Sequence, residues 1–206
     1  MGTAERRQKE KEDLKNSILE AAKELFIEKG LEHTTIRNIA EKIDYSVGTV
    51  YLYFKDKDSI LFEINKSGFG LLKQYMAEAV SNTEDAFQQL TDIAHAYVKF
   101  ALENRELYDL MFIMTAPIDH VYKHCDGEGW EGQDAFGFLQ TIIQRCLDNE
   151  MIQDGEPDVL AVLFWSTVHG MSSLYIRNRL NVIEEANIKN IMNYEVLDAF
   201  IKLIKK

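Results

Sequence analysis

Between Thr34 and Lys57 the chain reads TTIRNIAEKIDYSVGTVYLYFKDK. Hydroxyls, phenols and cations recur through it: Thr35, Arg37, Ser46, Thr49, Tyr51, Tyr53, Lys55 and Lys57. Such groups donate and accept hydrogen bonds and carry fixed positive charge. That is the chemistry of holding phosphate oxygens and reading base edges. Gly48 lets backbone come close to a partner, and Val47 offers an apolar group that could touch a thymine methyl.

Elsewhere the reactive residues form weaker sets. His120 and His124 are four apart with Cys125 adjacent, a spacing that could hold a transition metal on a helix. A solvated loop with chance neighbours explains the same residues, and no metal is assigned. Ser166 and His169 are one helical turn apart, but no acid is placed to orient the histidine. Paired catalytic carboxylates, a glycine-rich phosphate loop and a nucleophile elbow are absent from the sequence, so neither an enzyme nor a cofactor is predicted. Cys125 and Cys146 make no disulfide framework and read as free thiols in a reducing cytoplasm.

Helices must position these groups. Only two prolines occur, and apolar residues repeat at three and four through most of the chain, which predicts an all-α protein. Ile36, Ile39, Ala40 and Ile43 mark one buried face, with Thr34 or Thr35 able to cap its start. Asp44–Ser46 is the break, because Asp tolerates left-handed backbone and Ser starts helices. A second helix from about Val47 to Phe54 is too short to stand alone and must be held by Val50 and Phe54. A preceding helix from Asp13, after a frayed tail at 1–11, ends at Gly30. Ile18, Leu25 and Phe26 complete a shared core. A short helix so braced, with small hydroxyl and phenol groups outward, suits the major groove.

Asp56 or Asp58 caps a further helix running to about Val80, and its first amides with Lys57 would hold a phosphate. Helices are then expected at about 84–103, 105–115, 133–149, 158–180 and 188–205, with a glycine- and acid-rich loop over 117–132. Tyr97, Phe100, Met111, Phe112, Phe136, Trp165 and His169 are large or amphipathic residues in these helices. They would serve equally to line an apolar pocket or to pack a plain core. The apolar stretch 158–180 and the last helix offer more apolar surface than one small domain needs.

The net charge is −11, but it is uneven: residues 1–58 hold 11 Lys and Arg against 12 Asp and Glu, and the remainder 12 against 22. Affinity for DNA follows cations placed at phosphates, not total charge. Arg37, Lys55 and Lys57 flank the short helix, and Arg6, Arg7, Lys9 and Lys11 form a mixed basic arm. An uninterrupted apolar run long enough to span a membrane is missing, and the charged amino terminus is no signal peptide. A cytoplasmic protein is expected.

The 34–57 stretch resembles the helix-turn-helix of TetR/AcrR-family transcriptional regulators, carried by Thr35, Arg37, Ile39, Ala40, Ser46, Gly48, Thr49, Tyr51, Tyr53, Phe54 and Lys57. Three positions depart from that pattern: Asp44 where glycine is usual, Val47 where a cation is common, and Tyr45 where a small apolar residue is common. LYDLMF at 107–112 and the W-x-x-x-H-G spacing of Trp165, His169 and Gly170 look like part of a TetR-type carboxyl-terminal domain. The resemblance implies a DNA-binding domain over 1–57 and a helical ligand-binding and dimerisation domain over 58–206. It further implies operator DNA as partner, an apolar or amphipathic effector, and a homodimer formed through about 158–180 and 188–205. Repression of a palindromic operator, relieved by the effector, is the implied mechanism. A helical small-molecule carrier that no longer binds DNA is the alternative, motivated by Val47 and the acidic balance.

Overall fold

The computed structural model describes residues 2–113, 131–183 and 195–206, which form two compact helical units. The first holds the chain up to Gly68 together with the segment that begins at Glu106. The second holds Phe69–Arg105 and the chain from Glu131 onward. Among the described residues every regular element is helical, apart from one antiparallel bridge between Ile152 and Lys205.

The amino-terminal unit starts with α1 (Thr3–Lys29), α2 (Ile36–Lys42) and α3 (Val47–Tyr51), followed by the first part of α4 (Lys57–Val80). Its core joins Ile18, Ala22, Leu25 and Phe26 of α1 to Ile36, Ile39 and Ala40 of α2, Val50 of α3 and Phe54 beyond it. Ile60, Leu61 and Ile64 of α4 extend this core, and Ile43 packs against it only partly buried. Leu110 joins the same core from a π-helical turn, Asp109–Ile113, which continues the short α6 (Arg105–Tyr108). The straight helix expected over 105–115 is thus α-helical only to Tyr108. The extra residue in a π turn re-aims the side chains that follow it.

Two boundaries differ from expectation. Residues 3–12 are helical rather than frayed, although all are exposed. Local bonds replace tertiary support there: Arg6 Nε to Glu10 Oε1 at 2.9 Å, Gln8 Nε2 to Glu12 Oε1 at 3.1 Å, and the Gly2 amide to Glu5 at 2.7 Å. At the other end, α3 stops at Tyr51, because Leu52 and Tyr53 switch to tighter bonds with Thr49 and Val50 carbonyls.

In the carboxyl-terminal unit, α5 (Ala86–Glu103), α7 (Glu131–Asp148) and α8 (Pro157–Ile176) pack on one another. Leu90, Ile93, Phe100, Leu139, Ile143, Ala161, Phe164 and Val168 are buried in this unit. Asp85 caps α5 by accepting the Gln88 amide, and Pro157 opens α8 where its missing N–H costs nothing. Asn178, with φ 53°, ends α8 earlier than the expected 180. α9 (Val196–Ile204) buries Leu197 and Ile201, and the chain end clasps the α7–α8 connection through Gln153 N to Ile204 O and Lys206 N to Met151 O.

One expectation needs correction. By length and composition alone α8 is apolar enough to cross a membrane. Ser166, Thr167 and His169 interrupt its apolar run in the sequence, which hid this. Ala161, Phe164, Val168 and Met171 nevertheless bury one face of the helix within the unit.

Candidate nucleic-acid interface and effector cluster

The turn between α2 and α3 is built as its residue types require. Thr35 caps α2, its Oγ1 accepting the Asn38 amide at 3.2 Å, while the Thr35 amide donates to Asn38 Oδ1 at 3.1 Å. Asp44 occupies the left-handed region at φ 58°. Ser46 caps α3 by accepting the Thr49 amide at 3.1 Å, and its Oγ also lies 2.8 Å from Thr49 Oγ1. Asp56 caps α4 through the Ser59 amide at 2.7 Å. The inward residues Val50 and Phe54 are buried.

On the outside, Ser46, Val47, Gly48 and Tyr51 are exposed, and Thr49 and Tyr53 are half-buried, Tyr53 against the core. Tyr45 (51% exposed) and Leu52 (82% exposed) flank α3 and extend this surface beyond the residues singled out from the sequence. Their signal was legible as apolar residues lying off the Val50–Phe54 stripe. Arg37 is exposed but ion-paired with Glu41 at 2.8 Å, which raises its pKa, first through the hydrogen bond and then through charge. Lys55 is exposed. Lys57 is committed differently: its Nζ donates to the Leu31 carbonyl at 2.7 Å, fastening the α1–α2 connection to the start of α4.

Four of the seven predicted pocket residues converge in the carboxyl-terminal unit. The Tyr97 hydroxyl on α5 lies 3.1 Å from His169 Nδ1 and accepts from Trp165 Nε1 at 3.3 Å, both on α8. Phe136 of α7 meets the Trp165 ring edge-on, centroids 6.2 Å apart. Burial lowers the His169 pKa and favours the neutral ring. With the proton on Nε2, the indole donates to the phenol and the phenol to the imidazole. Phe100 is fully buried beneath Tyr75, centroids 5.7 Å apart. Met111 and Phe112 belong to the amino-terminal unit, Met111 beside Gly68 and Phe112 tilted on Tyr108.

Cys146 is a free thiol, and burial first of all pushes it up to about 11, so it is a poor nucleophile. Among the described residues no three His, Cys, Asp or Glu side chains gather as metal ligands. His120, His124, Cys125 and most of the 117–132 loop lie outside the described residues.

Comparison with known proteins agrees with this geometry. Residues 18–64 match the family model for bacterial regulatory proteins of the tetR family. Residues 90–196, just over half the chain, match the tetracyclin repressor-like carboxyl-terminal domain. The HTH-type transcriptional regulator HbdR of Aromatoleum sp. is 34% identical over 104 residues, covering 50% of this chain and 45% of that protein. The chain therefore spans about half the length of that relative. A TetR-family transcriptional regulator from Haemophilus influenzae superposes with a TM-score of 0.67 at 19% identity, over 95% of this chain and 98% of the other. The fatty acid degradation regulator FadR of Bacillus halodurans gives 0.70 at 13% identity, over 88% and 94%. At these identities the two structures speak to the fold alone. Members of this family regulate transcription and are not enzymes, and a carrier without DNA binding is not what the matching amino-terminal model describes. The helix-turn-helix at Thr35–Tyr51, in an all-helical chain matched by both family models, belongs to a DNA-binding transcription regulator of the tetR family.

Proposed function

We propose that this regulator is a repressor that binds a palindromic operator as a homodimer and is released by a small apolar or amphipathic effector. The observation that carries the effector reading is the Tyr97–Trp165–His169 junction. It sets polar groups that can orient a ligand among aromatic walls, as small-molecule sites require. Tyr97, Phe136, Trp165 and His169 are assigned to the effector, with Phe100 as a packed floor. Thr35, Arg37, Ser46, Val47, Gly48, Thr49, Tyr51, Tyr53, Lys55 and Lys57 are assigned to DNA. α4 runs through both units and transmits the ligand's preference for one conformation to the reading helix.

The dimer reading rests on α8 and α9. Val159, Val162, Leu163 and Leu174 leave an exposed apolar stripe on α8, and Val196 and Leu203 leave another on α9. A second copy covers these stripes by twofold symmetry, which sets two α3 helices about one helical turn of DNA apart. The same stripe on a membrane span would face lipid. Here it is assigned to the partner copy, and the protein to the cytoplasm.

The test is fluorescence anisotropy on DNA from directly upstream of the coding region, with amphipathic compounds first chosen for raising the melting temperature. Release of DNA by such compounds, weakened by Tyr97→Phe, supports the proposal. Compounds that stabilise the protein yet leave its DNA affinity unchanged would refute ligand release. For the dimer, Leu163→Glu should give a monomer in sedimentation equilibrium; an unmodified chain that is itself monomeric at micromolar concentration refutes that part.

A further inference from the structure

The amino-terminal ten residues of α1 leave the domain as a helical overhang, every residue exposed. Nothing apolar holds them, so their side chains describe what the overhang meets. The stripe that buries Ile18, Ala22 and Leu25 continues backward along α1 through Lys15, Lys11 and Arg7, each one turn from the next. Lys15 marks the exit from the core. Its Nζ pairs with Glu63 at 2.8 Å and lies 5.8 Å from the centre of the Phe54 ring, three residues past the end of α3. Lys11 and Arg7 lie about 6 and 12 Å farther out at 1.5 Å per residue.

The charges on this overhang are not evenly spent. Glu5 accepts the Gly2 amide, Glu10 pairs with Arg6, and Glu12 accepts from Gln8. Asp13 is turned to the far side of the helix from Lys11. Arg7 and Lys11 have no carboxylate partner among the described residues. Like charges four apart weaken an isolated helix by about 0.2–0.5 kcal/mol, so the Arg7–Lys11–Lys15 row opposes the helix it sits on. A polyanion laid along the row reverses that sign.

We propose that this overhang is a second DNA contact, in which Arg7 and Lys11 lie on backbone phosphates flanking the bases that α3 reads. The proposal rests on the DNA-binding role of the amino-terminal domain and adds to it a surface outside the helix-turn-helix. Duplex DNA is favoured over other anions because the cations form a row at regular spacing, continuous through Lys15 and Phe54 with the reading unit. Phosphate contacts add affinity and salt dependence without sequence information.

The experiment uses the full chain and a duplex selected by the unmodified protein from a random-sequence pool, in anisotropy titrations across a salt series. Arg7→Gln with Lys11→Gln should weaken binding about tenfold at low salt and reduce the log–log salt slope by about 1.8. Arg7→Lys with Lys11→Arg should restore both. Trimming the duplex to the bases read by α3 should weaken the unmodified protein and leave the Gln variant unaffected. Circular dichroism confirms that helix content is kept. An unchanged slope in the Gln variant overturns the proposal while leaving the helix-turn-helix reading intact. A loss that depends on operator bases overturns the phosphate assignment. Absence of any selected duplex for the unmodified chain overturns the domain's DNA role and this surface with it.

Discussion

The Tyr97 hydroxyl and Nδ1 of His169 stand 3.1 Å apart, tying α5 to α8 at the junction assigned to the effector. Burial moves the His169 pKa below its ordinary 6.5, so the unfolded chain takes up the proton more readily than the folded one. The stability gained by keeping this ring neutral is complete above about pH 6.5 and is lost as pH falls below it. Urea denaturation between pH 7.5 and 5 should show that loss, and His169→Gln should flatten it. A variant with the same pH dependence as the unmodified chain would assign the effect to other groups.

Gly68 and Gly70 lie two apart in α4 but should respond in opposite directions to alanine. A Cβ on Gly68 would come within 2.5 Å of Met111 Sδ and 3.2 Å of Leu107 Cδ1, whereas Gly70 has open space. Gly70→Ala should stabilise the protein by about 0.5–1 kcal/mol through helix propensity. Gly68→Ala should destabilise by about 1–3 kcal/mol, because the π turn carrying Met111 must move. Denaturant midpoints compare the two directly.

Asp44 holds the turn in a left-handed conformation that glycine adopts without penalty. Asp44→Gly is expected to raise stability by up to about 1 kcal/mol with DNA affinity unchanged. Ser46→Ala removes the α3 cap and should cost about 1 kcal/mol, while also weakening DNA binding because α3 has only five residues to hold its geometry. Thermal melts paired with DNA titrations separate the two effects.

Arg37 is available to phosphate only if it leaves Glu41. Glu41→Gln removes that competitor and a negative charge from the same face. DNA affinity at low salt should rise by about threefold. Unchanged affinity would place Arg37 away from the DNA backbone.

Much of the reading unit was legible from residue types. Thr35, Asp44 and Ser46 are local devices: a hydroxyl accepts an amide three residues on, and an Asp accepts left-handed backbone, wherever the rest of the chain lies. The apolar stripe through Ile36, Ile39, Ala40, Val50 and Phe54 likewise announced its burial by spacing alone. The extent of α1 was not announced, because the bonds that sustain an exposed charged helix, such as Arg6 to Glu10, also suit a solvated tail.

Residue order along the chain therefore determined the all-helical class, the helix-turn-helix and its caps, since these depend on interactions within a few residues. Tertiary structure decided the rest. It gathered Tyr97, Phe136, Trp165 and His169 from three helices, buried Phe100, and placed Met111 and Phe112 in the amino-terminal unit. It also spent Lys57 on the Leu31 carbonyl, 26 residues away in sequence. An aromatic residue at helical spacing suits a core and a pocket equally, and only the partners brought to it by long-range packing distinguish the two.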